Sequence, residues 1–122
     1  MKTLYCDSKG DIRFSALYAV VQLKNGQTTT IERYYQSVKR KADGTPCRKG
    51  EHVYHIIVNG HRHSATRLTE LYDQLWELYF TQHPELLHYA ATFDNFVDRF
   101  AGHSINTKAK SIAKCVNRYL NK

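Results

Sequence analysis

The sequence lacks any long apolar run. A helix that crosses a membrane needs roughly 20 consecutive apolar residues, whereas the longest uninterrupted apolar stretch here is only a few residues. The first residues, MKTLYCDSKGDIRF, also contain no apolar segment of the length that a secretory signal requires. We therefore expect no membrane partner and a cytoplasmic protein.

Cysteine is scarce, and its spacing excludes two kinds of site. The three cysteines are an odd number and lie far apart, at Cys6, Cys47 and Cys115. They form neither a zinc-binding pattern nor a disulfide framework, so we expect free thiols in a reducing compartment. Of the seven histidines, His61 and His63 share one face of a predicted strand, but no third ligand is suitably spaced. No metal site is predicted.

Cofactor motifs are also missing. The six glycines are scattered, which excludes the glycine-rich loop that cradles phosphates in many nucleotide-binding proteins. No nucleophile elbow built around a serine is present. We predict no cofactor.

Positive charge is in excess. There are 18 Lys and Arg residues against 11 Asp and Glu residues, a formal net charge of +7. The cations concentrate at positions 33–49 and 108–122, and the segment 70–98 between them contains six acidic residues and no lysine. This pattern favours a polyanionic partner, either nucleic acid or a phosphate-bearing small molecule. Two solvated helix faces would have the same composition.

The order of the predicted elements indicates an α+β fold. Two hairpins are predicted, around Asn25-Gly26 and Asn59-Gly60, and both are followed by helical patterns. These patterns cover residues 31–42, a long segment after Ser64 or Thr66, a segment from Pro84, residues 93–101 and a segment from Thr107. We therefore predict a single domain, residues 1–122, in which a small antiparallel sheet from two hairpins is packed by four to five helices.

The first predicted helix carries three polar residues on one face. Glu32, Gln36 and Lys39 stand at i, i+4 and i+7, beside an apolar stripe. Glu32 lies near the helix N-terminus, where the helix dipole favours an ionised carboxylate. These residues could line a cleft, although the pattern alone favours a solvated face.

The stretch RFSALYAVVQLKNGQTTTIERYYQSVKR resembles the start of the NADAR superfamily. In that family a Phe-Ser loop leads, through a strand pair with a glycine turn, into a helix reading Glu-His-x-x-Gln-x-x-Lys. The matching residues are Phe14, Ser15, Gly26, Glu32, Tyr35, Gln36 and Lys39. LWELYFTQHPELLHYAAT is similar to a later pair of family helices, and FAGHSINTKAKSIAKCV to a reduced form of the family's Gly-rich loop and last helix. Gly102 and Asn106 correspond to that loop.

This resemblance implies a NADAR-like fold that binds an ADP-ribose-type or other nucleotide-derived ligand and hydrolyses its N-glycosidic bond. Glu32 would be the acidic group at the ribose, with Gln36 and Lys39 lining the cleft and Lys39 at a phosphate. Phe14, Ser15, Gly102 and Asn106 would complete the ligand site. Arg13 and Arg48 are further electrostatic candidates.

The sequence also departs from the family pattern. Phe100 stands where the family has a Trp, the nearby acid is Asp98 on the other side of it, and Arg33 replaces the helix His. Asp98 and Asp94, read as i and i+4 on a helix, are the fallback acids. The departures leave two alternatives open. One is a sponge that sequesters an NAD-derived signal without cleaving it, as would suit a phage anti-defence protein in the host cytoplasm. The other is a small basic nucleic-acid-binding protein.

Overall fold

The computed structural model describes residues 2–99 and 108–122, and within them the chain is mixed α+β, as predicted. The strands are β1 (Thr3–Tyr5), β2 (Val20–Gln22), β3 (Thr28–Thr30), β4 (Lys39–Arg40), β5 (His55–Val58), β6 (His61–Ser64) and β7 (Asn95–Val97). The α-helices are α1 (Ile31–Ser37), α2 (Leu68–Gln82), α3 (Pro84–Ala90) and α4 (Lys108–Leu120). Short 3-10 turns occupy Ile12–Phe14 and Ala65–Arg67.

The strands of the described residues form three small sheets instead of the single predicted one. Both predicted hairpins are present, as β2–β3 and β5–β6, but they belong to different sheets because β5 pairs with β4 on its other side. The third sheet pairs β1 with β7 in parallel, over positions 92 residues apart in the chain. The prediction of one antiparallel sheet was therefore wrong, because it counted only strand pairs joined by a turn.

The core is built around α2, whose inner face is buried along its whole length. The buried residues of this face are Leu71, Tyr72, Leu75, Trp76, Tyr79 and Phe80. Ile31 and Tyr35 of α1 pack in the same cluster, as do Ile112 and Val116 of α4. Burying a large apolar side chain contributes roughly 1.5–3 kcal/mol, so α2 is the main source of stability.

The helix predicted over residues 31–42 ends at Ser37, which is a correction. The carbonyl of Val38 accepts a hydrogen bond from the amide of Ile57 at 2.9 Å, and Lys39 and Arg40 then pair with β5. Pairing with a distant strand therefore overrides the helical pattern, and Lys39 follows the helix instead of lying on it.

The helix predicted over residues 93–101 is a second correction, because residues 95–97 form strand β7. Asp94 precedes this strand and Asp98 follows it, so the two acids are not an i, i+4 pair on a helix face. The predicted start of the last helix at Thr107 lies outside the described residues. Across residues 2–99 and 108–122, no helix combines the length and the apolar character needed to cross a membrane.

Candidate functional site

The start of α1 is fixed by the segment that precedes the first hairpin. The carbonyl of Ala16 accepts a hydrogen bond from the Glu32 amide at 3.0 Å, and the carbonyl of Ala19 accepts one from Ile31 at 3.0 Å. Thr30 caps the helix as predicted, because its hydroxyl accepts the Arg33 amide. These contacts fix the backbone position of Glu32, whose side chain is partly buried.

Glu32 and Gln36 contact each other directly. The Gln36 Nε2 group donates a hydrogen bond to Glu32 Oε1 at 2.8 Å. The i, i+4 spacing predicted from the sequence therefore corresponds to a direct contact between the two side chains, and both residues are partly buried. The Gln36 amide therefore orients the Glu32 carboxylate.

Lys39 stays next to this pair although it lies on β4. Its Nζ sits 4.6 Å from the centre of the Tyr35 ring, a cation–π contact. Burial lowers the pKa of Lys39, and the neighbouring Glu32 and Cys47 partly offset that effect. The ammonium is therefore partly desolvated, which strengthens its attraction for an anionic ligand.

Tyr72 of α2 joins the site, and sequence reasoning missed it. Its ring packs edge-on against Tyr35 with 4.7 Å between ring centres. Burial raises the pKa of Tyr72, and the charges of Glu32 and Asp98 raise it further. Tyr72 lies in the apolar stripe of α2, so nothing in its spacing distinguishes it from a core residue.

Asp98 is held in place by the end of β1. The amide of Cys6 donates to the carbonyl of Val97 at 2.8 Å, and the amide of Arg99 donates to Asp7 Oδ2 at 3.3 Å. The Arg99 guanidinium also forms two hydrogen bonds to the buried Asp7 carboxylate, at 2.9 and 2.8 Å. These contacts hold the backbone on both sides of Asp98. We use the name α1 cluster for Glu32, Tyr35, Gln36, Lys39, Tyr72 and Asp98.

Phe14 and Ser15 are both fully buried. The Phe14 ring packs against Phe80 and Tyr89, at 6.1 and 6.2 Å between ring centres, so it forms part of the core. The Ser15 hydroxyl has no hydrogen-bond partner within the part of the chain that the structure describes. Ser15 directly precedes Ala16, whose carbonyl holds Glu32, so this free hydroxyl belongs to the segment that supports α1.

Arg13 and Arg48, the two arginines predicted to bind the ligand, are not members of the α1 cluster. Arg13 pairs with Asp11 at 2.6 Å and lies over the Tyr89 ring, and its hydrogen bonds to Asp11 raise the pKa of the guanidinium. Arg48 is exposed on the loop between β4 and β5. The remaining predicted ligand residues, Phe100, Gly102 and Asn106, lie outside the described residues.

The histidine pair has the predicted register, with His61 opposite Val58 and His63 opposite Ile56. Neither opposing residue can bind a metal ion. Among residues 2–99 and 108–122, no group of three or more His, Cys, Asp or Glu side chains could hold one.

Comparison with known proteins adds no relative. No protein-family model matches the chain, and no curated protein matches it significantly. The NADAR resemblance therefore stays a prediction that rests on the motif from Glu32 to Lys39.

Proposed function

We propose that the α1 cluster binds an ADP-ribose-type or other nucleotide-derived ligand and hydrolyses its N-glycosidic bond. The observation that carries this proposal is the hydrogen-bonded Glu32–Gln36 pair beside the partly desolvated Lys39 ammonium. Glu32 comes from α1 and Asp98 from the end of β7, and both charges contribute to the raised pKa of the Tyr72 phenol. The resemblance implied an acid at the position of Glu32.

The reaction needs the groups that the α1 cluster contains. Cleavage of a C1′–N bond passes through an oxocarbenium-like state, which a carboxylate beside the ribose stabilises, while a second carboxylate activates water. The water oxygen then bonds to C1′ and its proton passes to the carboxylate. The departing nitrogen takes the bonding electron pair and receives that proton back from the carboxyl group, which restores the carboxylate. In this scheme Glu32 faces the ribose and Asp98 the water.

Lys39 and Tyr72 have binding roles in this scheme. The partly desolvated Lys39 ammonium contacts a phosphate of the ligand. Tyr72 is protonated at neutral pH, as a tyrosine of ordinary pKa already is, so its hydroxyl can donate a hydrogen bond to a sugar hydroxyl.

A thermal-shift panel tests the binding step. The wild-type protein is heated with NAD, ADP-ribose, cyclic ADP-ribose isomers and plain nucleotides. A ligand that binds only the folded state stabilises it by about 2.7 kcal/mol at 100 times its Kd, which is a shift of several degrees. We expect stabilisation by at least one ligand that contains ADP-ribose. The Glu32→Gln variant is expected to lose it, while Glu85→Gln, an equal change of charge on exposed α3, keeps it.

Chromatographic detection of base release, run in parallel, separates hydrolysis from sequestration. Release by the wild type and not by Glu32→Gln would support the full proposal. Binding without release would favour the sponge instead. The absence of stabilisation by every nucleotide in the panel would reject a nucleotide site at the α1 cluster.

A further inference from the structure

The two basic clusters of the sequence differ in how their charge is neutralised. In the C-terminal cluster, Lys114 lies 2.8 Å from Asp73 and Arg118 forms an ion pair with Glu77, so these two cations attach α4 to the acidic α2. The other cluster continues from β4 into the loop before β5. We call residues 40–54 the basic edge. It contains four Lys and Arg residues and only two acids.

Both acids of the basic edge are already engaged. Asp43 accepts hydrogen bonds from the amide and the hydroxyl of Thr45, at 2.9 and 2.6 Å. Glu51 accepts the amide of Arg48 at 2.6 Å and lies 3.7 Å from the Lys41 ammonium. Arg48 and Lys49 are exposed, and neither forms an ion pair with another described residue. The basic edge therefore presents uncompensated positive charge to solvent.

The loop folds back so that Arg48 lies beside the residues that precede Tyr54. The Cys47 thiol donates to the carbonyl of His52 at 3.5 Å, and the amide of Glu51 donates to the carbonyl of Arg48 at 3.1 Å.

The amide of Lys41 donates to the carbonyl of Thr45 at 2.9 Å, which returns the chain alongside β4. On the other side of β4, the amide of Tyr54 donates to the carbonyl of Arg40 at 2.9 Å. Tyr54 is therefore a direct neighbour of Arg40 and Lys41.

Tyr54 is an exposed tyrosine on the same loop as the exposed Arg48 and Lys49. Its side chain is 59% exposed, and the His52 ring supports it with 4.6 Å between ring centres. Two other exposed tyrosines differ in this respect. Arg99 lies over Tyr5 and Arg13 lies over Tyr89, and each arginine is already paired with an aspartate. An open aromatic ring on a loop that also exposes unpaired cations is the combination that binds bases and phosphates together.

We infer that the basic edge binds single-stranded nucleic acid, with Arg48 and Lys49 at phosphates and a base stacked on Tyr54. A single strand is specified because only an unpaired base exposes a face to an aromatic side chain. This surface is distinct from the proposed nucleotide site, and its test does not require that site to be active.

Fluorescence anisotropy with a labelled 15-nucleotide oligothymidine measures this binding from about 50 to 200 mM salt. Arg48→Ala/Lys49→Ala is expected to weaken binding and to reduce the slope of log K against log salt by about 1.4, since each phosphate contact in a single strand contributes about 0.7. The control, Lys24→Ala/Lys122→Ala, removes two exposed cations elsewhere and is expected to bind like the wild type. Tyr54→Ala is expected to bind roughly 5- to 150-fold more weakly, while Tyr54→Phe retains binding.

Several results would overturn the inference. They are failure of the wild type to bind at the lowest salt, an equal loss in the Lys24→Ala/Lys122→Ala control, and unchanged affinity in Tyr54→Ala. Vesicles containing phosphatidylserine provide a further comparison. If Arg48→Ala/Lys49→Ala weakens binding to vesicles and not to the oligonucleotide, the basic edge binds membranes instead.

Discussion

Among single residues, the Asp7 carboxylate is held ionised by a buried contact with Arg99. Hydrogen bonds from Arg99 lower the pKa of the buried Asp7 carboxyl from 3.8 to about 2. In the unfolded chain that contact is lost. Because the folded-state pKa lies below the unfolded one, the stabilisation is fully present above about pH 4 and is lost as the pH falls towards 2.

We predict that Asp7→Asn lowers the free energy of unfolding at neutral pH by about 2 kcal/mol, since a pKa shift of one unit corresponds to about 1.4 kcal/mol. Urea unfolding at pH 7, 4 and 3 measures the free energy of unfolding of both proteins. The difference between variant and wild type is expected to shrink towards acid pH. Asp11→Asn is the control, because it removes a carboxylate from a more exposed local pair with Arg13, and we expect a cost of less than about 1 kcal/mol. A deficit in Asp7→Asn that stays constant with pH would contradict the electrostatic origin.

At the same scale, the sequence predicts one contact of the α1 cluster and not the placement of its other members. Glu32 and Gln36 are four positions apart on a helix, and that spacing alone predicts their contact. Asp98 is predicted as a candidate acid on a helix that does not form, and Tyr72 resembles a core residue. Where these two residues lie depends on how α2 packs and how β7 pairs with β1, which no local pattern specifies.

Among the elements, α4 is attached to α2 by polar contacts as well as by its apolar face. Asp73 accepts hydrogen bonds from the buried Ser111 hydroxyl at 2.6 Å and from Lys114 at 2.8 Å. Asp73→Asn is predicted to destabilise the protein by about 1–3 kcal/mol, because it disturbs the partner of a buried hydroxyl. Lys114→Ala, which removes only the exposed cation, is expected to cost less than about 1 kcal/mol. Chemical unfolding of both variants checks this order, and equal costs would contradict it.

Elements defined by local chemistry were predicted better than those defined by distant pairing. The Asn59-Gly60 turn has positive φ values of 52° and 78°, as a type I′ hairpin requires, and Thr30 caps α1. Strands β1, β4 and β7 contain only two or three residues each. Segments this short show no alternation of apolar and polar residues, and they become strands only because a distant partner supplies the hydrogen bonds.

For the whole molecule, the structure divides the net charge of +7 into parts with different roles. Lys114 and Arg118 join two helices, Lys39 belongs to the α1 cluster, and Arg48 and Lys49 stay open to solvent. The excess charge is therefore not one continuous surface for a polyanion. The two proposals assign different anions to different parts of it.

The most direct test of the central claim is an NMR titration of the ¹⁵N-labelled protein with ADP-ribose. The Gln36 side-chain amide is the reporter, because its Nε2 group donates to Glu32. We predict saturable shifts at this amide and at the α1 backbone, and their loss in Glu32→Gln. No shift at the Gln36 side chain, or shifts confined to residues 40–54, would contradict a nucleotide site at the α1 cluster.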